Sequence, residues 1–364
     1  MHVLKRTPLA LAVLAGLAGT ASAQSSVTMF GVVDLSLRYV KNDDATYQLA
    51  QDGMAGSRLG FRGIEDLGGG LKASFWLEGQ LGPDTGTGNT SFGNGNTSGP
   101  DAFMFRRRST LSLSNPWGEL RLGRDYTPTF WNIGVFDPFG VNGVGSAGNL
   151  FIAAEIRGVV GAAGAYGTLV RANNAVQYIL PNGAFGPGLY GQVMVTAGEA
   201  APANKYYAGR IGYAAGPFDV AAAYGYTYVD VAGNITAPLW SLAGSWNFGV
   251  VKVSGFYGSL EINGLAAGDA KQDNWFVGAS APIGQWNLKA SWGQVKQSGN
   301  VLDGNDASQI AIGADYNLSK RTALYATASW LNNNHTAYSV SASGSPLTRG
   351  VNSNGAEIGI RHSF

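Results

Sequence analysis

The 364-residue chain contains no cysteine, so neither disulfides, thiol chemistry nor Cys-ligated metal enters its fold or function. Charged residues make up 13 % of it, about half the share of an average domain. Beyond the N-terminal segment the histidines are His335 and His362, and no Gly-x-Ser-x-Gly elbow accompanies them. Nothing indicates an enzyme. No His/Asp/Glu group has metal-ligand spacing, Asp303 and Asp306 forming only a loose pair, and no cofactor is expected. Gly143 to Gly148 fits G-x-G-x-x-G but lacks a strand–helix context, as a Gly-rich chain produces by chance. No apolar run reaches the roughly eighteen residues of a transmembrane helix.

Glycine is abundant, 54 residues, and aromatics reach 11 %, too many for a disordered chain. The first residues read as a secretory signal peptide, 1–23. Lys5 and Arg6 precede an apolar run from Leu9 to Ala18, and Ala21-Ser22-Ala23 is an A-x-A cleavage site. Excluding Lys5 and Arg6 leaves 22 basic against 23 acidic residues, a net charge of −1. That balance provides no basic face for nucleic acid.

From residue 24 to 364 the pattern is period two, the mark of strands with a different environment on each face. Val27, Met29, Val33, Leu35 and Leu37 share one face of the first strand, and Thr28, Asp34, Ser36 and Arg38 the other. Phe218, Val220, Ala222 and Tyr224 repeat the pattern, as do Trp286, Leu288, Ala290 and Trp292. Tight turns such as Asn115-Pro116-Trp117-Gly118 and Ala215-Gly216-Pro217 alternate with longer polar loops at 263–271, 298–306 and 332–354. Glu65 to Gly70 reads as another turn, and 82–102 as a Gly/Asn/Thr loop. About sixteen strands are predicted, an all-β transmembrane antiparallel barrel with short periplasmic turns and long external loops. A soluble β-sandwich or β-solenoid fits less well. Tyr and Trp cluster near strand ends as an interfacial girdle requires, and charges avoid the apolar face.

The stretch from Phe103 to Arg171 organises the chain. Arg106, Arg107 and Arg108 open one strand, Arg121 and Arg124 end the next, and a third external loop of unusual length, 127–170, follows. Folded into the barrel, this loop would form a constriction facing charged wall.

Several segments resemble a known family. They are Ser25 to Asp34, Ser57 to Lys72 (SRLGFRGIEDLGGGLK), Gly118 to Pro128 (GELRLGRDYTP), Arg171 to Tyr178 (RANNAVQY) and the terminal Phe364. Together they are similar to Gram-negative general porins, trimeric and sixteen-stranded, of the betaproteobacterial type. The resemblance implies a homotrimer in outer-membrane lipid and lipopolysaccharide, with the 127–170 loop narrowing each channel. It implies that Phe364 is read by the barrel-assembly machinery. It places Arg58, Arg107 and Arg171 in the basic wall of the constriction and Asp137 on the infolded loop, with Glu155 as a second loop carboxylate. Arg62, on the same face as Arg58, is expected in the basic wall of the constriction as well. For Arg107 the two readings differ, since alternation from Leu111 and Leu113 points it outward.

The expected function is passive diffusion of small hydrophilic solutes and inorganic ions, with weak anion preference. Three arginines each 10 Å from an anion in water favour it by about 1.2 kcal/mol in sum, less than tenfold. Screening reduces this, and low-dielectric pore walls oppose the reduction. The alternatives are a channel selective for one class of anion and a surface-recognition adhesin barrel with a closed pore.

Overall fold

The computed structural model describes residues 26–88, 105–152, 167–199, 202–203, 205–300, 302, 304–341 and 344–364. The segment 1–23, most of the 82–102 loop, Glu155 and Asp303 lie outside them. The wall begins with β1 (Ser26–Lys41), β2 (Ala45–Gln51), β3 (Arg58–Gly68), β4 (Leu71–Gly82) and the two-residue β5 (Thr87–Gly88). It continues with β6 (Arg108–Asn115), β7 (Gly118–Tyr126), β8 (Arg171–Leu180), β9 (Leu189–Thr196), β10 (Tyr206–Ala215) and β11 (Phe218–Tyr228). The remaining strands are β12 (Thr236–Asn247), β13 (Lys252–Ile262), β14 (Ala270–Ile283), β15 (Trp286–Gly299), β16 (Asp306–Asn317), β17 (Thr322–Asn334) and β18 (Ser353–Ser363).

Each strand pairs antiparallel with its neighbours, and β1 closes the sheet against β18 with Val32 opposite Ser363 and Lys41 opposite Asn354. β2 and β3 occupy successive lengths of one wall position, since β1 pairs with β2 over Leu35–Lys41 and with β3 over Ser26–Val32. β5 only extends the end of β4. Sixteen wall positions result, all-β and closed, as the alternation predicts. Closure of β1 on β18 removes the free ends of the sheet, whose edges lipid cannot satisfy, while among the described residues β2 and β5 pair on one side only. Two local expectations change. The wall strand after β1 is broken at 52–57, a break that the sequence pattern does not reveal. The turn expected over Glu65–Gly70 shortens to its end, because β3 runs on to Gly68.

The period-two faces separate as predicted. Val27, Leu37, Ile211, Leu242 and Ile358 are strongly exposed on the outside, whereas Asp34, Ser36, Thr110, Ser112, Gln177 and Gln272 are buried on the inside. The barrel is not hollow throughout. The loop after β7 turns inward and packs Ile133, Phe136, Phe151 and Leu169 against Ala221, Ala243, Phe256 and Phe276 of the inner wall. The apolar core therefore lies between loop and wall on the β11–β14 side. Open space remains opposite, against β3, β4 and β6–β8.

Candidate functional site: a basic aperture beside an infolded loop

The loop is shaped by its own sequence. Thr127 caps α1 (Pro128–Gly134), accepting a hydrogen bond from the Phe130 N–H, and Pro128 supplies the preset φ of a first turn. A second short helix, α2 (Gly148–Phe151), follows. Polar residues then staple the loop to the wall. Asn132 donates to Ser241 Oγ at 3.0 Å, and Arg210 Nε donates to Asn132 Oδ1 at 3.0 Å. Thr129 and Tyr206 share a hydrogen bond at 2.8 Å, and Asn274 donates to the Leu150 carbonyl at 3.1 Å.

The loop tip reaches the far wall. Glu357 Oε1 accepts the Val144 N–H at 2.9 Å, and its other oxygen pairs with Arg38 at 2.7 Å. Gly143 has φ +68, and a Cβ there would lie 2.2 Å from both Glu357 Oε1 and the Gly53 carbonyl. Only glycine fits that contact. Gly53 belongs to the break between β2 and β3, held under the tip by Met54 and Ala55 N–H donations to Asp34 Oδ2 at 2.9 and 2.7 Å. The G-x-G-x-x-G match is thus the apex of the infolded loop.

Between loop and wall lies a cavity of about 800 Å³. On its wall side stand Arg38, Arg58, Arg107, Arg108 and Arg171, with Asp52, Glu78 and Asp125. Five arginines against three carboxylates give a net charge of +2. Glu78 accepts from Arg107 Nε at 2.6 Å and lies 3.9 Å from Arg58. Asp125 is engaged by Arg121 at 2.5 Å and Arg108 at 3.7 Å. Tyr126 Oη sits between Arg107 at 3.1 Å and Arg171 at 2.6 Å. The Arg171 guanidinium also stacks 4.2 Å above the Tyr126 ring centre. Among the described residues Arg171 Nε is buried without a hydrogen-bond partner. The loop side presents Phe130, Trp131, Val141, Asn142 and Asn149, among the described residues no carboxylate.

Arg58, Arg107 and Arg171 therefore converge on one cavity. Arg107 precedes the first residue of β6, so its side chain escapes the alternation and turns to Glu78. Arg62 lies off the cavity, toward the periplasmic end, with its guanidinium 5.4 Å from the Phe30 ring and 5.3 Å from Trp76. The expectation for Asp137 is corrected. Its carboxylate faces the loop interior and accepts N–H donations from Phe139, Val141 and Ala147 at 3.1, 2.9 and 3.0 Å. Burial pushes this carboxyl above its ordinary value, while the three donors pull the other way. Asp137 staples the loop rather than lining the opening. Phe364 pairs its backbone with Gly31 at 3.1 Å in both directions. Sequence reasoning missed Glu78, Asp52 and Glu357. Glu78 carried a signal, since it shares the inward parity of Trp76 and Gln80, whereas Asp52 and Glu357 are defined by contacts far apart in sequence.

Comparison with known proteins accords with this architecture. The pattern of the Gram-negative porin family matches residues 10–336. Outer membrane porin protein 32 of Delftia acidovorans is 39 % identical, the match covering 99 % of this chain and all of that protein. An outer membrane porin protein of Bordetella pertussis is 31 % identical over 99 % of this chain and all of its own length. A solved structure of an anion-selective porin from Comamonas acidovorans superposes with TM-score 0.80 and 35 % identity, covering 94 % of this chain and all of that one. A closed sixteen-position barrel, an infolded loop and a match along nearly the whole chain lead to one assignment: the chain belongs to the Gram-negative porin family and forms a channel of the bacterial outer membrane.

Proposed function

We propose that the channel passes small hydrophilic solutes and ions passively, favours anions, and uses the 127–170 loop as its constriction. The observation that carries this reading is the aperture's asymmetry, arginine-rich wall against a loop face without a described carboxylate. Fixed charge of one sign beside a narrow opening biases which ions enter. The anion-selective relative from Comamonas acidovorans is consistent with it. Arg58, Arg107 and Arg171 act at the opening, and Arg62 acts below it.

The working unit is a homotrimer, embedded in lipid and lipopolysaccharide. Outward tryptophans of the strands, such as Trp240, Trp246, Trp292 and Trp330, lie on β12 to β17. Among the described residues the outer face of β1 to β8 shows Leu37, Leu111, Leu113, Leu120 and Leu122, and its one exposed tryptophan is Trp117 on the β6–β7 turn. Tryptophan prefers the lipid–water boundary, so its scarcity there suits contact with another copy. Residues 1–23 direct export, and Phe364 serves recognition by the barrel-assembly machinery.

The test is the reversal potential of the purified protein in a planar bilayer under a KCl gradient. Anion preference is expected, weakened by Arg58→Ala and by Arg171→Ala. Cation preference in the wild type would refute the reading.

A further inference from the structure

The lumen of a porin-type barrel is ordinarily polar. Here Trp131 leaves 36 % of its surface exposed, on the infolded loop and bordering the cavity rather than lipid. Its ring centre lies 5.3 Å from that of Tyr126, over which the Arg171 guanidinium carbon stands at 4.2 Å. The guanidinium and the Trp131 ring are therefore at most 9.5 Å apart. Arg171 is only 8 % exposed, and among the described residues its Nε has no acceptor. A buried guanidinium N–H without a partner leaves the charge incompletely compensated, and this guanidinium borders the cavity where an anion would sit.

We propose that the constriction recognises monocarboxylates carrying an aromatic body, the carboxylate on Arg171 and the ring against Trp131. This rests on the anion-favouring reading of the same aperture and names its substrate class. Guanidinium–carboxylate pairing leaves the carboxyl carbon about 4 Å from the guanidinium carbon. One bond and a ring radius carry the aryl centre about 3 Å further. With offset or edge contact at about 5 Å the extended reach is about 12 Å, which bridges a gap of at most 9.5 Å when the aryl group turns off the line between Arg171 and Trp131. An inorganic anion uses only the arginine side. A second carboxylate seated against Phe130 and Trp131 in place of the ring would be desolvated by apolar surface. Trp76 also borders the cavity, its ring held by the Arg108 guanidinium at 4.5 Å.

The probes are sodium acetate and sodium benzoate, added to the full-length protein conducting chloride in a planar bilayer. Both carry one negative charge at neutral pH. Benzoate is expected to halve the chloride conductance at a concentration about tenfold below that needed for acetate. Trp131→Gln should bring the two within about threefold, and Trp131→Phe should restore the separation. Equal potency of the two salts on the wild-type channel would overturn the inference and leave the anion-favouring channel standing. So would a ratio unaltered by Trp131→Gln. A cation-selective reversal potential would overturn both. The wild-type comparison decides the matter even where a variant fails to insert.

Discussion

Glu78→Gln is expected to strengthen anion preference. Glu78 borders the cavity between Arg107 and Arg58, 2.6 and 3.9 Å away, and neutralises part of the basic wall. Glutamine keeps the side-chain length and an acceptor oxygen for Arg107 Nε, so the change removes charge with little change of shape. An ion passing about 6 Å from the carboxylate interacts with it by about 0.7 kcal/mol in water. A Debye length of about 10 Å at 0.1 M salt reduces this to about 0.4 kcal/mol. Removing the charge favours the anion about twofold and disfavours the cation about twofold, so the permeability ratio rises nearly fourfold. At 1 M salt the Debye length is about 3 Å and the change should shrink below about twofold. Reversal potentials at the two salt concentrations measure both numbers. An unchanged or lowered chloride preference at low salt would show that ions do not pass within reach of Glu78, and the aperture as described would not be the selectivity filter.

Two further variants separate holding the loop from selecting the ion. Glu357→Ala removes the acceptor of the Val144 N–H and the partner of the buried Arg38, so the loop tip should loosen. Breaking such a buried pair costs about 3–5 kcal/mol locally, and single-channel records should show frequent closures and noise that the wild type lacks. A quiet channel in Glu357→Ala would mean that the tip is held by its apolar contacts alone. Asp137→Ala leaves three backbone donors without their acceptor, the buried Phe139 N–H at about 1–3 kcal/mol and two half-buried ones at less, and should lower the thermal midpoint of the loop-packed barrel. Its effect on the permeability ratio should stay within about 1.5-fold, because the carboxylate is turned away from the ions; a large loss of cation entry would instead place Asp137 in the opening.

The sequence by itself determined the barrel. Period-two alternation is local: Val27, Met29, Leu35 and Leu37 face outward because successive strand residues must point to opposite sides. The strand count and the alternation of turns with long loops follow from the same local pattern. Arg58, Arg107 and Arg171 were legible through the resemblance of the segments that carry them to porins, and all three border the cavity. Arg107 was not settled by phase, because it stands just outside β6, where the ladder no longer dictates direction. What the tertiary structure alone decided is the geometry of the constriction. Asp137 read as a pore carboxylate, yet loop folding brought three N–H donors onto it and buried it. Glu357 drew no notice in the sequence, yet the loop tip arrived from 213 positions away to make it a clip. Such contacts have no local periodicity. They exist only once the barrel has closed and an apolar loop face, Ile133, Phe136 and Phe151, has chosen the wall on which to bury itself.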